Sequence, residues 1–97
     1  MIYSVLDREN LPVAATVVAL TATKITSKVI YARIQVQVAS LRVTYDGTDP
    51  NPATPIGELL TPGDIIEIWG SNLSLFKAVR YGSTSGKIEV HYLGSGV

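Results

Sequence analysis

Ile30-Tyr31-Ala32-Arg33-Ile34-Gln35-Val36-Gln37-Val38, followed by Ala39-Ser40 and then Leu41-Arg42-Val43-Thr44-Tyr45, is the stretch that decides the fold. Ile30, Ala32, Ile34, Val36 and Val38 share one parity, and Tyr31, Arg33, Gln35 and Gln37 the other. Side chains of an extended chain point alternately to opposite sides, so the pattern predicts a long strand from Val29 to about Ala39, apolar on one face and wet on the other. A helix would scatter the same apolar residues around its circumference. From Leu41 onward the apolar residues, Leu41, Val43 and Tyr45, move to odd numbers. Two readings fit that slip. An extra residue near Ala39-Ser40 could bulge a single strand and return its apolar side inward. Alternatively, two strands follow one another through a tight joint.

Downstream, Asp46 to Pro62 holds four prolines and two glycines before Gly63, which excludes a long regular element. Proline stiffens it, and Ile56, Leu59 and Leu60 are expected to pin it to the core edge. Pro62-Gly63-Asp64 reads as a tight turn. Ile65 to Trp69 reads as a strand, and a short helical turn fits near Leu73. Phe76 to Tyr81 follows without a clean face. Gly82 to Gly86 reads as a hairpin loop, and Lys87 to Tyr92 alternates strictly with Ile88, Val90 and Tyr92 inward.

Upstream, Met1 to Leu6 reads as a short peripheral strand or arm that ends in a polar turn, Asp7 to Asn10. Val13 to Leu20 is rich in β-branched residues behind Pro12 and reads as a strand, and Thr21 to Thr26 as a connection or edge strand. Residues 1–10 are a candidate N-terminal arm and residues 94–97 a flexible tail. With seven or eight short strands, turn signals every eight to twelve residues and no βαβ alternation, the expected fold is all-β. It is a single antiparallel, jelly-roll-like β-sandwich.

Ninety-seven residues suit one domain with one core and leave little room for a deep cleft. At 46% apolar the chain is not disordered, and with only 16% charged residues and no net charge its surface favours association. A homo-oligomer, with a trimer first in expectation, follows. The scattered basic residues argue against nucleic acid, which demands clustered Lys and Arg. Without cysteine there is neither a disulfide framework nor a thiolate metal site. The N-terminus has no basic and then apolar leader pattern, and no apolar run nears the ~18 residues of a membrane span. No signal peptide and no membrane partner are expected.

Candidate chemistry is sparse. His91, the single histidine, falls on the wet side of its strand, away from any nucleophile motif. Asp46, Asp49 and Asn51 resemble oxygen ligands, but Pro50 and Pro52 interrupt them and turn-forming hydrogen bonds account for their presence. Glu58, Asp64, Glu67 and Glu89 have no spacing that marks a catalytic pair. Neither metal nor cofactor is expected. Trp69, Tyr31 and Tyr81 are candidates for a subunit contact or a sugar-stacking surface, with the core as the further alternative for Trp69, while the strand phase puts Tyr92 in the core. Arg33, Gln35 and Gln37 form a polar strip suited to a wet or subunit-facing sheet.

Leu41-Arg42-Val43-Thr44-Tyr45-Asp46-Gly47-Thr48-Asp49-Pro50 has a more particular look, together with Gly57-Glu58-Leu59-Leu60-Thr61-Pro62-Gly63-Asp64, Phe76-Lys77-Ala78-Val79-Arg80 and Gly86-Lys87-Ile88-Glu89-Val90-His91-Tyr92. From about Val29 to Tyr92 the chain resembles small all-β virion proteins of tailed bacteriophages. The resemblance implies a non-enzymatic structural role: capsid decoration, or a head or tail accessory part. It also implies a symmetric oligomer docked on the major capsid protein or another virion protein, made in the host cytoplasm and residing in the virion. No catalytic residues come with it. The rival expectation, from the aromatics alone, is a small carbohydrate-binding module.

Overall fold

The computed structural model describes residues 3–54 and 56–95. The strands are β1 (Tyr3–Val13), β2 (Val18–Ala19), β3 (Val29–Gln37), β4 (Leu41–Thr44), β5 (Glu58–Leu60), β6 (Ile65–Trp69), β7 (Lys77–Arg80) and β8 (Gly86–Ser95). Short 3-10 turns occupy Ala22–Lys24 and Gly70–Ser74. The second of these holds Leu73, which is buried, at the helical turn expected there.

Two four-stranded sheets form, sheet A in the order β1-β8-β3-β6 and sheet B in the order β2-β7-β4-β5. Strands β1 and β8, β2 and β7, β3 and β6, and β4 and β5 pair antiparallel. The chain is thus one long folded ribbon whose two arms run side by side. Rolling that ribbon up brings β3 against β8 and β4 against β7. This is a jelly roll, the double-sheet solution to the problem of open sheet edges. Only β4 to β5 stays within a sheet; every other connection crosses between them.

The inward residues of sheet A are Ala32, Ile34 and Val36 of β3 with Ile88, Val90 and Tyr92 of β8, all essentially without solvent contact. The register sets Ala32 opposite Tyr92, a small residue making room for a large one. Leu41 and Val43 of β4, Ala78 of β7, and Phe76 close the core from the other sheet. Fully burying each of the larger side chains contributes about 1.5–3 kcal/mol.

The parity slip after Val38 is explained by a change of sheet. β3 and β4 lie in opposing layers, so two strands joined tightly are present and the single bulged strand is not. The joint forces Val38 to φ 75°, left-handed, and leaves its side chain 62% exposed. The turn Thr61 to Asp64 forms as read, with Gly63 at φ 97° and the Asp64 N–H donating to the Thr61 carbonyl at 3.0 Å.

Other expectations are corrected. Asp7 to Asn10 is no turn, because β1 runs straight through it with a bulge between Val5 and Asp7. Residues 3–10 therefore belong to the sandwich rather than to an arm. Pairing with β8 sends Leu11 and Val13 inward beside Glu9, whose carboxylate accepts hydrogen bonds from the Tyr92 hydroxyl and from Thr21. Val13 ends β1, and only Val18–Ala19 of the expected next strand forms, since the residues between carry the chain across to sheet B. Gly82 to Gly86 is not a hairpin loop: the neighbours of β7 are β2 and β4, and β8 lies in the other sheet. Ile56 and Leu59 stay 42% and 40% exposed, and Leu60 is the residue that anchors the Pro-rich segment. Gly94 and Ser95 are part of β8, and the rest of the expected tail lies outside the described residues.

Candidate functional site

Residues opposite one another on antiparallel strands point to the same side, so rows of side chains run across a sheet. On the outer face of sheet A the register aligns Val5, Leu93, Tyr31 and Trp69 in one row. The next row is Arg8, His91, Arg33 and Glu67, and the one after it Asn10, Glu89, Gln35 and Ile65. Lys87 and Gln37 follow, beside Pro12.

The first row is apolar. Tyr31 and Trp69 stack with centroids 4.2 Å apart and planes inclined by 12°. Tyr3 meets both edge-on, at 5.3 Å from Tyr31 and 6.0 Å from Trp69. Each such pair contributes about 0.5–1.5 kcal/mol beyond the area it buries, which stiffens this end of the sheet. The cluster is not covered, however: Val5 is 54% exposed, Trp69 45% and, two rows on, Ile65 47%.

Rings stacked across adjacent strands stand on edge from the sheet. Tyr31 covers one face of Trp69. At the β6 edge of the sheet a hollow of about 380 Å³ is lined by Tyr45, Glu67, Ile68, Trp69 and Asn72. Tyr45 also borders a neighbouring groove of about 450 Å³ beside Ile56 and Glu58. Its hydroxyl donates to Glu58 at 2.7 Å, and burial, then that carboxylate, pushes its ionisation well up.

Part of the polar rows pairs within the face, around Glu89 and between the two glutamines. Glu89 accepts from Arg8 Nε at 3.0 Å and from Asn10 Nδ2 at 3.1 Å, and His91 Nε2 lies 3.5 Å away. The Asn10 amide foremost, then Arg8, holds the Glu89 carboxyl below the usual range against the opposing effect of burial. Gln37 Nε2 donates to Gln35 Oε1 at 3.3 Å. Along the second row the charges are ordered: Arg8 at the β1 edge, Glu67 at the β6 edge.

Of the residues singled out in the sequence, Tyr31, Arg33, Gln35, Gln37 and Trp69 are brought together on this face. Tyr81 is not. It follows β7 of sheet B, where the Arg42 guanidinium lies 5.4 Å from its ring centre. Tyr3, Val5 and Leu93 belong to the apolar patch and were missed, the first two because residues 1–10 read as a candidate arm and Leu93 because the last strand read only as far as Tyr92. The alternation of Tyr3 and Val5 was the available signal. The Asp46, Asp49 and Asn51 set does not converge. Asp46 accepts from the Thr48 N–H, Asp49 pairs with Lys77 at 2.9 Å, and Asn51 accepts from Ala53 and Thr54. Among the described residues no three His, Cys, Asp or Glu side chains gather as metal ligands, and no helix is long and apolar enough to cross a membrane.

His91 faces solvent on a sheet surface whose nearest recess, beside Arg33, Gln35 and Glu89, measures only about 60 Å³. No protein-family model, curated protein or solved structure matches this chain.

Proposed function

We propose that the chain is a non-enzymatic structural component of a tailed-phage particle, a jelly roll that decorates or stabilises the head or serves as a head or tail accessory part, working as a symmetric oligomer. The observation that carries the reading is the open apolar row Val5, Leu93, Tyr31 and Trp69 beside polar rows that are partly paired around Glu89. Such a face is poor at chemistry and good at adhesion. The jelly roll serves capsids, lectins and cupin enzymes alike, so the fold alone does not choose among them. The resemblance to phage virion proteins from about Val29 to Tyr92 supplies the rest of the support. Mass spectrometry of purified particles tests it: the chain is expected at a fixed ratio to the major capsid protein, and its absence from particles would sink the reading.

A second reading, a carbohydrate-binding module, draws on the part-exposed Trp69 and on Glu67 and Asn72, which line the edge hollow with it. An aromatic plane flanked by planar polar groups is a chemistry that receives a sugar ring. Since Trp69 is the single tryptophan, its emission reports directly. A saturable shift on titrating glycans, lost in Asn72→Ala, favours the module, and indifference across a glycan panel favours the particle protein.

A further inference from the structure

The geometry points to a second copy of this chain as the occupant of the outer face of sheet A, the two copies stacked face to face about a two-fold axis parallel to the strands. This deepens the reading of the chain as a structural oligomer and rests on it, replacing the expected trimer by pairing at this surface.

A face-to-face two-fold axis must lie in the plane between the sheets, and two directions are natural. An axis along the strands reverses the strand order but keeps each row on its own row. The β1 edge then meets the partner's β6 edge, and β8 meets the partner's β3. Val5 falls against the partner's Trp69, and Leu93 against the partner's Tyr31, so apolar row meets apolar row. In the second row Arg8, which also pairs with Glu89 of its own chain, falls against the partner's Glu67, and His91 falls against the partner's Arg33; the symmetry makes each contact twice. An axis across the strands through the middle of the face would instead bring the aromatic row onto the partner's Lys87 and Gln37, and one moved onto the aromatic row would give up most of the overlap. Charge and apolarity therefore choose the same axis.

The two ends of the row, Arg8 at one edge and Glu67 at the other with His91 and Arg33 between them, complement each other when the order is reversed. A two-fold contact uses the same patch on both subunits, and self-complementarity of this kind is what it requires. Size agrees as well. Four strands about 4.8 Å apart and up to eleven residues long present on the order of 600 Å² in projection. Side-chain relief raises this towards the ~800 Å² per partner of a standard interface. Packing two sheets face to face at about 10 Å leaves room for interdigitated aromatic side chains.

The test is a charge exchange followed by sedimentation equilibrium of the full chain. Wild type is expected at twice the protomer mass. Arg8→Glu alone sets carboxylates against the partner's Glu67, and Glu67→Arg alone sets two guanidinium groups together; each is expected to weaken self-association at least ten-fold. An equimolar mixture of the two variants restores opposite charges at both contacts and is expected to recover the dimer as a mixed pair. Thermal melts establish that each variant is folded. Should Arg8→Glu unfold through loss of its Glu89 contact, dilution of wild type decides instead, with Trp69 emission moving to the red as the pair separates. A monomeric wild type, a trimer, single variants that associate like wild type, or a mixture that fails to recover would each overturn the two-fold pairing. The particle reading fails separately, by absence of the chain from purified virions.

Discussion

Val38 is a β-branched residue held at φ 75°, a conformation that L-residues with a branched β-carbon avoid at a cost of about 1–3 kcal/mol. Its side chain is largely in solvent, so little packing is lost on removing it. Val38→Gly is expected to stabilise the fold by about 1 kcal/mol, seen as a rise of roughly 4–8 °C in Tm by calorimetry; a fall in Tm would mean the joint is not strained. Gly94 makes the opposite case. A β-carbon there would meet the Lys28 carbonyl and come within 2.6 Å of Leu6 Cδ1. Gly94→Ala is expected to cost about 1–3 kcal/mol, the usual range for forcing bulk into a packed site, and a denaturant titration with unchanged midpoint would refute it. Neither position announces itself in the sequence. Val38 looks like one more inward residue of an alternating strand, and Gly94 like part of a loose tail, because backbone strain and close approach arise only when another segment is in place.

At the scale of elements, β1 shows most clearly how a charged run can be a strand. Asp7, Arg8, Glu9 and Asn10 carry no apolar signal, yet β1 is paired to β8 along its length and each of the three charged side chains finds a partner: Lys24, Glu89, and Tyr92 with Thr21. Charges on an edge strand also discourage further sheet growth. Deleting residues 1–10 separates the strand from the arm. A dispensable arm would leave the melting curve unchanged, whereas loss of β1 bares one side of β8 and is expected to abolish cooperative unfolding or solubility. The strands β3, β6 and β8 were legible because they alternate. The two-residue β2 and the three-residue β5 were not, being too short for a period to repeat.

At the scale of the whole molecule, pH reports on the tie between core and edge. The Tyr92 hydroxyl, pushed up by burial and by the Glu9 carboxylate, stays protonated in the folded state beyond the ordinary tyrosine value. An unfolded chain releases that proton near pH 10, so stability is intact below pH 10 and falls as pH rises above it, by about 1.4 kcal/mol per pH unit for each such tyrosine. Tyr45 behaves alike. Alkaline denaturation curves are expected to show this descent, shallower in Tyr92→Phe. The same variant measured near neutrality is expected to lose about 1–2 kcal/mol as Glu9 loses a donor, and an unaltered alkaline slope would contradict the assignment. Assembly belongs to this scale too. The outer face of sheet A exists only once four strands from both ends of the chain lie side by side, and the charge exchange between Arg8 and Glu67 interrogates it.

Period-two alternation is a local property, and by itself it determined that the chain is a β-sandwich, that Ile34, Val36, Ile88, Val90 and Tyr92 turn inward, and that Tyr31, Arg33, Gln35 and Gln37 have no place in the core; that Trp69 is open to solvent was settled by the tertiary structure. Which strands become neighbours depends instead on how the folded ribbon rolls. That is a matter of non-local pairing and of two apolar layers meeting. Only the tertiary structure decided that Val38 changes sheet, that β1 is built into the sandwich, and that Tyr3, Val5, Tyr31 and Trp69 form one open patch.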